Sequence, residues 1–245
     1  MARLFVDREM FRDGFVTITD KGDIHHIARV LRLNTGDILE ISDKTKYEYH
    51  CEITSLMADR IEARVLSKEA FSCEPQIQVT LFQGIPKAGK MEGIVQKCTE
   101  LGIHEIVPLW TERTVVADKG NFARKIDRWQ KVADEAVKQC RRGKIPSVMK
   151  DCNLFDAAGS FSAYDLVMLA YEKEEGFTVK TCLESFAEKP EKIALVIGPE
   201  GGFSEKEVNF LVQSGAESVS LGKTILRTET AGPAMLAMVF YALEL

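Results

Sequence analysis

Two near-continuous apolar runs, residues 165–170 and 193–197, constrain this chain most. Leu166, Val167, Met168, Leu169 and Ala170 form the body of the first, and Ile193, Ala194, Leu195, Val196 and Ile197 make up the second. Neither alternates polar with apolar residues, so each needs cover on both faces. Runs of this length between polar loops fit strands of a parallel sheet sandwiched between helices. Residues 77–82 and 106–109 read as further strands of the same kind. Between them Met91, Ile94, Val95, Cys98 and Leu101 mark one face of a helix that ends at Gly102. A longer helix, residues 121–139, turns Phe122, Ile126, Trp129, Val132, Ala133, Ala136 and Val137 inward. Strands alternating with helices in this way predict an α/β architecture.

The first seventy residues follow a different rule. Residues 15–19, 37–42, 47–54 and 60–66 read as short strands, with Tyr49, Cys51 and Ile53 on one face, and likewise Ile61, Ala63 and Val65. Asp23 is expected to cap a helix whose Ile24, Ile27, Ala28 and Leu31 share a face. A small β-barrel fits this part. The polar stretch 67–76, with Pro75, marks the boundary between a domain of residues 1–70 and one of residues 71–245.

The formal net charge of −5 is unevenly spread. Between positions 119 and 150 ten Lys or Arg stand against three acids, among them Arg124, Lys125, Arg128, Lys131, Lys138, Arg141, Arg142 and Lys144. Such a cluster suits a phosphate backbone, and equally a solvated helix face. No apolar stretch reaches the roughly 18–20 residues of a membrane span, and the N-terminus lacks a signal-peptide core, so a cytoplasmic location is expected. Six cysteines, at 51, 73, 98, 140, 152 and 182, form no CxxC pair and have no histidine at metal spacing. They are expected to be reduced packing residues, with no metal bound. His25, His26, His50 and His104 are read as structural or RNA-facing.

The second apolar run opens into Gly198, Pro199, Glu200, Gly201, Gly202, Phe203 and Ser204. Ser204 as N-cap with Glu207 three residues on forms a capping box, and Phe203 can staple against Val208, so the loop enters its helix rigidly. In open α/β sheets ligands bind beyond the carboxyl ends of the strands, where this loop would lie. The competing reading is a tight turn that needs its glycines only for positive φ. A second small-residue loop runs from Leu221 through Gly222, Lys223, Thr224, Ile225, Leu226 and Arg227. A phosphate-binding P-loop is excluded because the glycine it needs five residues before Gly222 is Glu217, and no GxGxxG follows an early strand. The last helix, residues 231–243, is apolar nearly all round, with Met235, Leu236, Met238, Val239 and Phe240, so it belongs to the core or to a dimer interface.

These two loops, together with the segments Gln96 to Gly102 and His26 to Arg32 followed by Gly36 and Asp37, resemble the SPOUT-class 16S rRNA (uracil-N3)-methyltransferases over nearly the whole chain. The resemblance implies a PUA-like β-barrel followed by a trefoil-knotted α/β methyltransferase domain, assembled as a homodimer. It implies S-adenosyl-L-methionine bound in the knot by Ala170, Tyr171 and Glu172, by Gly198, Pro199, Glu200, Gly201 and Gly202, and by Leu221, Gly222, Ile225 and Leu226. It further implies methylation of N3 of a uridine in 16S rRNA of the small ribosomal subunit, with Arg227 as electrostatic catalyst. Glu229 is either an assisting base or a charge that suits the N-terminus of the last helix. Arg3, Arg8, Arg32, Lys87, Lys90, Arg113, Arg141 and Arg142 are candidate RNA contacts. Two other readings are a SPOUT enzyme acting on another RNA, such as a tRNA ribose 2′-OH, and a non-catalytic RNA-binding ribosome-assembly factor.

Overall fold

A computed structural model of the chain describes residues 3–117 and 122–244. Lys119 of the basic run and Asn121 of the expected long helix lie outside the described residues. The chain divides into two units, Met1–Glu74 with Val137–Ile145, and Pro75–Ala136 with Pro146–Leu245. The division falls inside the polar stretch 67–76. The return of residues 137–145 to the first unit has no counterpart in the sequence reading.

The first unit contains β1 (Arg3–Phe5), β2 (Phe11–Arg12), β3 (Phe15–Ile18), α1 (Lys21–His25), β4 (Ile38–Ser42), β5 (Tyr47–Leu56) and β6 (Ile61–Ala70). The strands form one sheet in the order β1, β4, β5, β6, β3, β2, antiparallel except for β1 with β4. Among the described residues β1 and β2 do not pair with each other, so the paired ladder of this small β domain is an open path. Alternation sets the buried face: Val16 and Ile18, Leu39 and Ile41, Cys51 and Ile53, and Ile61 and Ala63 meet in one core. The first helix starts one turn earlier than its apolar spacing indicates. Asp20, not Asp23, is the N-cap, and its carboxylate accepts the amide of Asp23 at 2.9 Å. A π-helical turn, His26–Val30, continues it.

In the second unit follow β7 (Gln78–Gly84), α2 (Lys90–Leu101), β8 (Glu105–Trp110), α3 (Phe122–Cys140), β9 (Ser147–Val148), β10 (Cys152–Asn153), α4 (Leu154–Gly159), β11 (Leu166–Ala170), α5 (Val179–Glu184), β12 (Lys192–Ile197), α6 (Glu205–Gln213), β13 (Glu217–Val219) and α7 (Thr228–Leu243). The strands are all parallel, in the order β10, β8, β7, β12, β11, β13, with β9 also on β8. Val79, Leu81, Ile193 and Leu195 face a core built with α2, α5 and α7, while Phe82, Ala194 and Val196 face a second core built with α4 and α6. Apolar residues on both strand faces are therefore each covered, which is why these strands do not alternate.

The order places a switch at the centre of the sheet. From β7 the chain moves to β8 on one side, whereas from β12 it moves past β11 to β13 on the other. Beside that point, beyond the carboxyl ends of β11, β12 and β13, lies a crevice. Among the described residues no helix is long and apolar enough to cross a membrane, and no group of three His, Cys, Asp or Glu residues is placed to hold a metal ion.

Candidate active site

The crevice is a cavity of about 510 Å³, a volume suited to a small organic ligand. Its walls are the three loops that follow β11, β12 and β13. All the residues expected to hold the cofactor line it, from Ala170, Tyr171 and Glu172 through Gly198 to Gly202 to Leu221, Gly222, Ile225 and Leu226. Arg227 and Glu229 line it too, and so does Lys90 at the start of α2.

Each wall is pinned by identifiable bonds. Ser204 caps α6 through the amide of Glu207, and the Glu207 carboxylate accepts the amide of Ser204 at 2.8 Å, closing the capping box expected from the sequence. A turn from Pro199 to Gly202 is closed by the Gly202 amide on the Pro199 carbonyl at 2.9 Å. Gly202 has φ +63°, and a side chain there would meet the Glu172 carboxylate at 3.3 Å. Gly84, at the end of β7, lies against the same loop: a Cβ would sit 2.5 Å from the Pro199 nitrogen and 2.7 Å from the Gly198 carbonyl carbon. Only glycine allows that approach.

The third wall is tied to the second from beneath. Thr228, buried in the first turn of α7, donates its hydroxyl to the Gly198 carbonyl at 2.7 Å. The same hydroxyl accepts from Gln83 Nε2 at 2.9 Å, and that amide nitrogen also donates to the Gly84 carbonyl at 3.0 Å. Gln83 and Thr228 were given no role in the sequence reading. The available signal was Gln83 itself, a polar residue inside an apolar strand, which needs a buried partner.

At the rim three charged side chains meet. Lys90 Nζ lies 3.0 Å from Glu200 Oε1 and 3.2 Å from Glu229 Oε2. Glu200 also accepts the backbone amide of Lys87 at 3.1 Å. Partial burial pushes the Glu200 carboxyl up, but its own amide, Lys90 and the Lys87 amide outweigh it and hold it below the usual range. Glu229 is likewise held low, first by its own amide in the opening turn of α7, then by Lys90 and Arg227 against a smaller burial effect. It stands in the first turn of α7, where the helix dipole favours a carboxylate. The Lys90 ammonium is held above its usual range by Glu200 and then Glu229. Arg227, the N-cap residue of α7, makes no side-chain cap and is exposed at the cavity mouth.

The expected RNA contacts divide. Arg8, Arg32 and Arg141 of the first unit are exposed, as are Lys87 and Arg113 of the second. Arg113 donates to the Gly201 carbonyl at 2.8 Å, linking the loop after β8 to the cavity wall. Arg142 is not available to phosphate as expected: it is 5% exposed, and its guanidinium pairs with Glu74 at 2.8 Å. Arg3 is also committed, to Glu48 and to the Arg141 carbonyl at 2.6 Å. Lys90 faces the two cavity carboxylates. All six cysteines are free thiols, and Cys51, Cys98 and Cys182 are buried.

Comparison with known proteins shows the family. An RNA methyltransferase domain model matches residues 73–240, and an RNA methyltransferase PUA domain model matches residues 18–66. The ribosomal RNA small subunit methyltransferase E of Bacillus subtilis is 34% identical over 227 residues, 91% of this chain and 89% of that protein. The chain belongs to the small subunit rRNA methyltransferase E family. The unit with the parallel sheet is thus its α/β methyltransferase domain, and the N-terminal unit is PUA-like. The family E enzyme of Neisseria gonorrhoeae, in a crystal structure bound to S-adenosyl methionine, superposes with a TM-score of 0.84 at 27% identity, covering 98% of this chain and 97% of that one. A methyltransferase of Legionella pneumophila, also with bound cofactor, gives 0.83 at 28% identity, with the same coverage.

Proposed function

We propose that the chain transfers the methyl group of S-adenosyl-L-methionine to N3 of a uridine in 16S rRNA of the small ribosomal subunit. The observation that carries the reading is the cavity at the sheet's switch point, whose walls are the three loops expected to hold that cofactor. The residues fit the ligand. Backbone groups of residues 198–202 and 221–226 line the cavity and offer donors and acceptors to an adenine edge. Two relatives of similar fold hold the same cofactor.

The bound cofactor supplies an electrophilic methyl group on a sulfonium. The chain's own residues must then manage the uracil, whose N3 attacks only as its proton passes to solvent water at the open mouth. Arg227, exposed at the mouth, presents a planar guanidinium to a uracil carbonyl oxygen and so stabilises the charge that grows as the proton departs. Glu229, held below the usual carboxylate range, is a weak base at neutral pH and serves to fix the opening turn of α7.

The same reading extends to assembly and fold. Met238 and Tyr241 on α7 are 38% and 76% exposed beside a largely apolar cavity shared with Val179 and Leu183 of α5, which suits burial in a homodimer. A trefoil knot is consistent with a chain that pairs residue 220 with residues 177 and 178 before returning to lay α7 on β7 and β12. The enzyme is assigned to the cytoplasm, where ribosomal subunits are assembled.

The test supplies methyl-labelled S-adenosyl-L-methionine with small subunits, naked rRNA and tRNA, followed by nucleoside mass spectrometry. Label in N3-methyluridine from 16S rRNA is expected. Label only in tRNA ribose, or none in any substrate, would overturn the proposal.

A further inference from the structure

We infer that Lys90 is a positioning residue of methyl transfer: it clamps the cofactor loop to the first turn of α7 and thereby fixes the backbone that presents Arg227. The inference rests on the methyltransferase reading above.

Three chain segments that are far apart in sequence converge on one ammonium group. Lys90 opens α2 after β7, Glu200 belongs to the loop after β12, and Glu229 stands in the first turn of α7. Two carboxylates this near one another would repel without a cation between them. Glu200 keeps a second anchor, the Lys87 amide at 3.1 Å, and its loop is held by the Arg113 and Thr228 bonds as well. Glu229 has only its own amide, which ties it to nothing beyond its own turn. Beyond Lys90, no hydrogen bond to its side chain comes from any other described residue's side chain. Loss of Lys90 therefore falls chiefly on the start of α7, two residues from Arg227.

This assignment differs from a phosphate contact in what it predicts. A lysine that grips RNA presents its ammonium to solvent, and its removal weakens RNA binding and flattens the salt dependence while leaving the saturated rate intact. A lysine that positions Arg227 acts on the rate once both substrates are bound.

The test compares Lys90→Met, Lys90→Arg and the double variant Lys90→Met with Glu229→Gln, all as full chains, against wild type. Single-turnover methyl transfer to small subunits is measured at saturating cofactor and RNA, alongside cofactor affinity and the salt dependence of RNA binding. Lys90→Met is expected to slow the saturated rate by about tenfold to a hundredfold, as a small misplacement of a catalytic group does, with cofactor affinity kept within about threefold. Lys90→Arg should recover part of that rate. The double variant should also recover part, because it removes the carboxylate left uncompensated. An unchanged saturated rate with a shallower salt slope would overturn the inference in favour of an RNA contact. A slow Lys90→Met that neither Arg nor the double variant improves would overturn it too. If wild type transfers no methyl group, the functional reading itself has failed; if wild type is active and Lys90→Met matches it, only this inference has.

Discussion

Thr228→Val tests how the cofactor wall is held. Valine keeps the shape of threonine and removes one hydroxyl, which here donates to Gly198 O at 2.7 Å and accepts from Gln83 Nε2 at 2.9 Å. Gly198 borders the cavity, so water replaces part of its lost bond and that end costs about 1 kcal/mol. Gln83 is fully buried; its nitrogen retains the Gly84 carbonyl but confronts a methyl group, which adds about 1–2 kcal/mol. The sum is about 2–3 kcal/mol. If the whole cost appeared as stability, the unfolding temperature would fall by about 4–12 °C at roughly 2–4 °C per kcal/mol. The loosened Gly198 carbonyl also belongs to the wall itself, so S-adenosyl-L-methionine is expected to bind about tenfold more weakly, equivalent to about 1.4 kcal/mol. Isothermal titration calorimetry and a thermal melt measure the two quantities, and Thr228→Ser, which keeps the hydroxyl, should stay near wild type in both. Affinity within about twofold of wild type together with an unshifted melt would refute the reasoning.

Three further outcomes are expected. Arg227→Ala should slow methyl transfer by about a hundredfold to a thousandfold while cofactor affinity, read by calorimetry, stays nearly constant, because the side chain is exposed to solvent. Gly84→Ala should weaken cofactor binding and destabilise the chain by about 1–3 kcal/mol, since its Cβ would press on the backbone of residues 198 and 199; normal melting and affinity would show that the approach is not fixed. The third concerns acid. Burial pushes the Glu74 carboxyl up, yet Arg142 and the amides of Lys144 and Gly143 hold it below its ordinary value of 4.5. A carboxyl whose folded value is the lower one stabilises above the unfolded value and loses that contribution as pH falls through the folded one. Arg142→Met should therefore cost about 3–5 kcal/mol at neutral pH, and its stability should fall less than that of wild type below about pH 4.5 in denaturant titrations.

What the sequence made legible were the features written in local chemistry. The run from Ile193 into Gly198 and the capping box of Ser204 and Glu207 specify a strand, a turn and a helix within fifteen residues, and the structure has all three. The strands of the parallel sheet declared themselves because burial on both faces leaves no polar position. Short elements were invisible for the converse reason: α5 spans six residues and β13 three, too few to establish a period. The first turn of α1 carries no apolar residue until Ile24, so Asp23 stood nearer the visible stripe than the true cap, Asp20. Long-range pairing was the other blind spot. Arg142 sat in a basic run and read as a candidate RNA contact, because its partner Glu74 is 68 residues away. The carboxylate partners of Lys90 were equally hidden, since nothing near it in the chain announces Glu200 or Glu229.

The return of residues 137–145 to the first unit has a consequence for how this protein can be taken apart or recombined. Ser42 donates to the Gly143 carbonyl at 2.5 Å, Glu74 accepts the amides of Gly143 and Lys144, and Arg3 reaches the Arg141 carbonyl, so the segment is an integral piece of the N-terminal fold. It is nevertheless encoded in the middle of the methyltransferase half. A cut at Glu74 therefore yields two damaged fragments: an N-terminal piece with an uncompensated buried carboxylate, and a C-terminal piece carrying a stranded arginine. The PUA-like unit cannot be exchanged as a cassette between relatives unless the far end of α3 and the turn after it travel with it.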